Sequence, residues 1–362
     1  MILNKDVMKH LKLLFCIFLF STYLGAEEIP EVTTLTLDMP IWAVGFNDAK
    51  WLINASKSNT NKIGFFNLSA KKSNMPKEPI TQKEDDLGRT SRSLPLYLAE
   101  RINIETQCAA INYVFVAQGK GPIVSGERWN VESFKKLAND EQLDFIVFGH
   151  YEKDYLDLRS SLKLEVWDVK KEIELFSIVE KSLFKEASSV AAKLPSSFQN
   201  KIETKNICHY VDSKIYPKPR PDILAPYLDG LGQMLAQTLA DNDVISGSSI
   251  WGEVQMIEWY RSLWQSMPES DANKLMFTKG IMTSKRYGGV AHKDYSKNFR
   301  DFLKSNFNKN DTLSKMSPLF YSEFGFVKDC IAAKNDLSGS STEYKNWLSK
   351  IDCQQIDNIN KL

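Results

Sequence analysis

No CxxC pair, no HxxxH spacing, no Gly-x-Ser-x-Gly turn and no GxxxxGK[ST] loop occurs in the sequence. Each absence removes a chemistry: the usual zinc ligand sets, the elbow that presents a hydrolase serine, and the Walker phosphate loop. Histidine and cysteine are scarce, at four and five residues. Net charge is missing too, since 46 basic side chains face 45 acidic ones. Nothing in that balance draws the chain to nucleic acid or to an anionic membrane surface. After residue 26 no apolar run reaches eighteen residues, so no integral membrane segment is expected beyond that point. Apolar residues still make up 43% of the chain, enough to fill substantial cores and to argue against global disorder.

What the chain does carry is an address at its start. Lys5, Lys9 and Lys12 form a basic leader, Leu13 to Leu24 is nearly all apolar, and Gly25-Ala26 supplies small residues before Glu27. This is the pattern of a secretory signal peptide over 1–26. The apolar stretch, about twelve residues, is short for a membrane span. The rival reading is an uncleaved anchor, favoured by the bulky Leu24. Without the leader's three lysines and one aspartate, 43 basic and 44 acidic residues remain, a formal charge of −1. Export to a periplasmic or extracellular space gives the remaining cysteines a reason to pair.

Period-two alternation and apolar runs mark strands at 62–70, 109–118 and 145–151. A long alternating strand spans Leu156 to Trp167, a turn follows at 168–171, and a returning strand covers 173–178. Helical spacing appears at 93–105, at 130–139 with Asn130 as N-cap, and at 183–202 with a kink or interruption at Pro195. Three prolines at alternate positions in Tyr216-Pro-Lys-Pro-Arg-Pro221 place a linker at 216–221. Beyond it come a leucine stripe from Leu224 to Leu239, an aromatic helix from Ile250 to Met267 that is apolar nearly all round, and further helices to Ile351. A helix of that all-round kind is expected to be covered on two sides. The expected fold class is α+β: a mixed-sheet α/β domain with a flanking helical meander over 27–215, followed by an all-α helical domain over 222–362.

The segment Asp144-Phe-Ile-Val-Phe-Gly-His150, the alternating run to Trp167-Asp168 and Glu174-Leu-Phe176 carry a resemblance. Their order is similar to the amino-terminal α/β domain of TolB-like bacterial envelope proteins, over about residues 60–203. That resemblance implies a fold and an envelope compartment. It supplies no catalytic residue, and the β-propeller of TolB itself is missing here.

Four cysteines remain after the leader: Cys108, Cys208, Cys330 and Cys353. Three pairings exist. The favoured one joins Cys108 to Cys208 and Cys330 to Cys353, because each bond then staples one domain. A metal site around the adjacent Cys208 and His209 is the alternative, without supporting spacing. Gln118-Gly-Lys-Gly-Pro122 follows a strand, but its spacing is not that of a phosphate loop. If the first strands are parallel, the loops 71–92 and 119–129 leave the same carboxyl edge of the sheet, where open α/β sheets place ligands. Arg89, Arg92, Lys120 and Arg128 are then the candidates for an anion-accepting edge, against the plainer reading of a solvated loop. The aromatic helix reads first as core and second as a peptide- or glycan-binding groove. Together these features describe an exported periplasmic or envelope accessory protein that binds or scaffolds another envelope protein or peptide, with no cofactor. The alternative is an exported hydrolase or small-ligand binder with a site at the domain junction.

Overall fold

The computed structural model describes residues 31–53, 60–74, 86–183, 187–210, 218–246, 252–309, 311–337 and 341–354. The signal segment, Tyr216 and Pro217 of the linker, the serine-rich break at 247–249 and Trp251 lie outside them. The chain divides into two compact units, each built from separate stretches. The first takes residues up to Pro40, then 57–211 and 224–249; the second takes 41–56, 212–223 and 250 onward. The chain thus passes between units on either side of the proline segment, and the leucine-striped helix after it belongs with the sheet.

The first unit is an eight-stranded mixed sheet. Its strands are β1 (Val32–Leu37), β2 (Lys62–Phe66), β3 (Ser69–Ser73), β4 (Ala109–Ala117), β5 (Gly121–Pro122), β6 (Phe145–Asp154), β7 (Arg159–Asp168) and β8 (Ile173–Leu183). The order is β1-β4-β2-β6-β7-β8, with β3 also on β6 and β5 also on β4. β2 runs parallel to both β4 and β6, and β6, β7 and β8 form an antiparallel meander. β8 pairs only with β7 among the described residues.

Helices cover both faces. On one, α1 (Asp86–Glu105) and α3 (Ala187–Thr204) bring Leu94, Leu98, Ile102, Leu194 and Phe198 over Ile63, Phe65, Leu164 and Val166. On the other, α2 (Glu132–Asp140) sets Phe134 and Leu137 against Phe66, Tyr113 and Phe148. Asn130 contributes to the start of α2 as expected, its side-chain oxygen accepting the Ser133 N–H at 3.1 Å. A fourth helix, α4 (Pro221–Asp241), follows the linker.

Two expectations change at the turns. The long strand does not begin at Leu156, because β6 continues to Asp154 and pairs it with Arg159. The Asp154 carboxylate accepts the N–H groups of Leu156 at 2.9 Å and Asp157 at 3.4 Å. This side-chain turn outweighs the apolar alternation and leaves Leu156 77% exposed. α1 begins at Asp86, well before residue 93, and carries Pro95 inside it. Proline there deprives the Ser91 carbonyl of its helical donor. The Leu68 N–H, from the break between β2 and β3, takes that carbonyl at 2.9 Å. Pro318 poses the same problem in α8 (Thr312–Glu323), where the Ser317 hydroxyl donates to the freed Ser314 carbonyl at 2.7 Å.

The second unit holds six α-helices among the described residues: α5 (Glu253–Ser266), α6 (Asp271–Arg286), α7 (His292–Ser305), α8, α9 (Val327–Leu337) and α10 (Thr342–Ser349). Residues 41–53 pack with them. The Lys279 ammonium donates to Ile41 O at 3.2 Å, Trp347 Nε1 donates to Phe46 O at 2.9 Å, and Trp51 lies edge-on to Tyr344. Among the described residues α5 is buried along one face, where covering on two sides was expected. Ile257, Tyr260 and Leu263 are buried, while Val254 and Trp259 are 48% and 37% exposed. No helix among the described residues is long and apolar enough to cross a membrane.

The cysteines pair as favoured, Cys108 with Cys208 and Cys330 with Cys353, with Cα separations of 5.9 and 5.6 Å. Cys330 lies in the first turn of α9, and Cys353 lies four residues past α10. An antiparallel hairpin brings those two ends together.

Replacing both Cys330 and Cys353 by serine is expected to cost about 3 kcal/mol, the chain-entropy value for a loop of this size. Urea unfolding with an unmoved midpoint would contradict it. Gly149, in mid-β6, sits where an added Cβ would lie 2.0 Å from the Lys163 carbonyl oxygen of β7. Gly149→Ala should destabilise by roughly 3 kcal/mol, at the high end for overpacking, read as a drop in thermal midpoint.

Candidate functional site

Beside β3, which follows the carboxyl end of β2, the sheet opens into a cavity of about 560 Å³. Its walls come from β3, from the first two turns of α1 and from the loop after β5. Alternation along β3 turns Ala70 and Lys72 to the cavity, while Lys71 goes to Glu127 at 3.7 Å. On α1 the spacing of three places Arg89 and Arg92 on one helix face. Leu87 and Gly88 complete that wall in the first turn, where the helix dipole is positive. Val124 and Gly126 close the side, and their loop is pinned by the Ala70 N–H bonding to Ser125 O at 2.8 Å.

Arg89 is oriented from α4, whose Asp229 carboxylate lies 3.1 Å from its guanidinium. The carboxylate offsets part of the charge on Arg89 and holds its side chain in place. Three cationic side chains from two elements thus line one concavity, and the Asp229 carboxylate lies beside Arg89.

Two of the four expected edge residues, Arg89 and Arg92, are therefore brought together, and the other two lie elsewhere. Lys120 sits in the tight turn between β4 and β5, exposed. In that turn the Gly119 N–H is bound to Val244 O at 2.8 Å and the Lys120 N–H to Ala117 O at 3.0 Å. Those amides are already used and do not form a phosphate cradle. Arg128 reaches Glu152 at 3.4 Å and is largely exposed. Lys72 was not singled out, because 71–92 reads as a loop in the sequence and becomes strand there only through the pairing of β3 with β6.

A second cluster lies beside Arg128. The Ser69 hydroxyl is 2.9 Å from His150 Nδ1 and 3.1 Å from Gly149 O, and it accepts the Trp129 N–H at 3.3 Å. Glu152 Oε2 is 3.8 Å from His150 Nε2, beyond hydrogen-bonding distance. These residue types make up a hydrolase triad, yet Ser69 is wholly buried and its hydroxyl is engaged on all sides. The geometry is that of a structural polar knot holding β3, β6 and the 123–131 loop together. Burial, and then the proximity of Arg128, holds the imidazole of His150 below its ordinary midpoint of 6.5. The Ser73 hydroxyl, donating to Glu152 at 2.7 Å, holds that carboxyl below the usual range.

Cys208 is spent on its disulfide, so it offers no thiolate beside His209. No three His, Cys, Asp or Glu side chains converge as a metal site among the described residues. No protein-family model matches the chain, and no curated protein matches it either. The chemistry of the cavity rests on its own geometry.

The depressed midpoint of His150 fixes a sign for pH dependence. Above its ordinary value near 6.5 both folded and unfolded imidazole are neutral and the residue contributes no slope. Below it the unfolded chain takes up a proton that the folded one resists, so stability falls as pH drops. Urea midpoints measured at pH 7.5 and 5.5 should therefore diverge less in His150→Gln than in the parent protein. An equal divergence would rule out this assignment.

Proposed function

We propose that this is an exported accessory protein of the cell envelope that works by binding, and that its α/β unit takes an anionic ligand in the cavity between β3 and α1. The observation that carries the reading is the meeting of Lys72, Arg89 and Arg92 around one concavity of about 560 Å³. A cavity of that volume is within the range of small-molecule sites, roughly 300–1,000 Å³. Guanidinium groups pair with carboxylate or phosphate in two-pronged fashion, so two of them select for such groups over neutral ones. The position, outside the carboxyl ends of parallel strands, is where open α/β sheets hold their ligands.

Export is supported by the leader-like pattern of residues 1–26 and by two disulfides, which persist in oxidising compartments. The likeness of segment 144–176 to TolB-like proteins supports an envelope setting. Binding is favoured over hydrolysis because the Ser69–His150–Glu152 cluster is sealed and lacks the carboxylate contact to its histidine. A protein or peptide partner presenting an acidic side chain would satisfy the same cavity as a free phosphate or carboxylate.

Thermal unfolding with inorganic pyrophosphate, citrate and nucleotides tests the reading. A ligand at a hundred times its dissociation constant adds about 2.7 kcal/mol of apparent stability. The expected result is a rise in midpoint with at least one anion, abolished in Arg92→Ala and reduced in Lys72→Ala. A rise that survives Arg92→Ala, or no rise with any anion, rejects the site.

A further inference from the structure

The helical unit contains a groove of different character. Two cavities, about 290 and 410 Å³, share one aromatic pair as a common wall: Trp264 of α5 and Phe302 of α7. The two rings meet edge to face with centroids 4.7 Å apart. They are held from behind, Trp264 by Phe277 at 5.4 Å and Phe299 at 5.8 Å, and Phe299 in turn by Phe320 at 4.9 Å. Trp264 and Phe302 remain half-buried at the surface of that stack.

The rim is polar, and its charges are paired within the protein. Arg261 lies 3.2 Å from Glu258, and Lys274 lies 3.2 Å from Asp271. Asp311 caps α8 by accepting the Ser314 N–H at 3.1 Å. Neutral amides fill the remaining rim, Gln265 and Asn298 on one side and Asn306 and Asn308 on the other.

We propose that this groove binds a neutral pyranose saccharide, with one sugar ring on either side of the Trp264–Phe302 pair. A pyranose has an apolar C–H face that stacks on an aromatic ring and a rim of hydroxyls that pair with side-chain amides. That division matches the aromatic wall and the amide rim. An anionic ligand is disfavoured, because Arg261 and Lys274 each already face a carboxylate. A peptide that adds as a strand needs the backbone edge of a sheet, and these walls are helical. An amphipathic helix needs one continuous apolar trough, whereas the aromatic pair partitions this groove. Each lobe is at the small end of the usual site range, which suits single rings.

The test is titration of the full-length protein with cellotriose and with triacetylchitotriose, read by tryptophan fluorescence and calorimetry. Saturable binding of at least one sugar is expected. Loss of one stacking partner in Phe302→Ala, or of one amide in Asn298→Ala, should weaken it about five- to tenfold. Asn298 is solvent-exposed, so that variant gives the answer even if Phe302→Ala fails to fold. No response to either sugar overturns the proposal. Affinity unchanged in Asn298→Ala and in any folded Phe302→Ala overturns it, as does saturable binding of an amphipathic helical peptide alone.

Discussion

The hydrogen bond from the Leu68 N–H to the Ser91 carbonyl joins the break between β2 and β3 to the proline-interrupted middle of α1. Without Pro95 that carbonyl would belong to the helix, and without the break that N–H would belong to the ladder. Leaving either group buried and unpaired would cost about 1–3 kcal/mol. The bond sets how far along the sheet α1 sits. That in turn decides that Leu94, Leu98 and Ile102 land on Ile63 and Phe65. It also decides that Arg89 and Arg92, one turn toward the helix start, overhang Lys72.

Farther along the same helix, polar contacts fix what apolar burial leaves free. Arg101 gives two bonds to Glu105, at 2.9 and 2.6 Å, another to Gln199 of α3, and lies over the Tyr210 ring. Both partners of that ion pair are only 3% exposed. At the position just before Arg101, Glu100 accepts from Tyr227 of α4 at 2.5 Å. A buried charge pair adds little net stability over a well-packed apolar one, because desolvation offsets most of the attraction. Its effect is selective: α3 and α4 meet α1 in the one register that satisfies these groups.

The parts legible in the sequence are those whose signal is local. The β6–β8 meander announces itself through alternation, and the cysteine pairing follows once each bond is asked to close one domain. The parts that were hidden depend on distant partners. β1 alternates over only six residues, and its partner β4 lies some eighty residues later. The opening turns of α1 read as a polar loop because Ser91 and Ser93 stand where apolar residues would be expected. Both are fully buried, with hydroxyls returned to the helix at Gly88 O and Arg89 O. Two of the three cations around the cavity were visible, as Arg89 and Arg92. Lys72 was not, since 71–92 reads as a polar loop until β6 pairs residues 69–73 as a strand, and Asp229 is 140 positions from the arginine it orients. Trp264 was read as core because periodicity reports which face of a helix is apolar, and it does not report where that face stops being covered.

The segmented make-up of the two units also governs how the chain can be divided. The polypeptide passes from one unit to the other five times, at 40/41, 56/57, 211/212, 223/224 and 249/250. No single scission releases either unit whole. A fragment ending at the proline segment would lose α4, and with it the Asp229 strut behind Arg89 and the Tyr227 contact to Glu100. A fragment beginning there would lose the 41–53 stretch whose Trp51 and Phe46 lie against α10. Inheritance of this architecture by recombination therefore favours the entire reading frame over its halves.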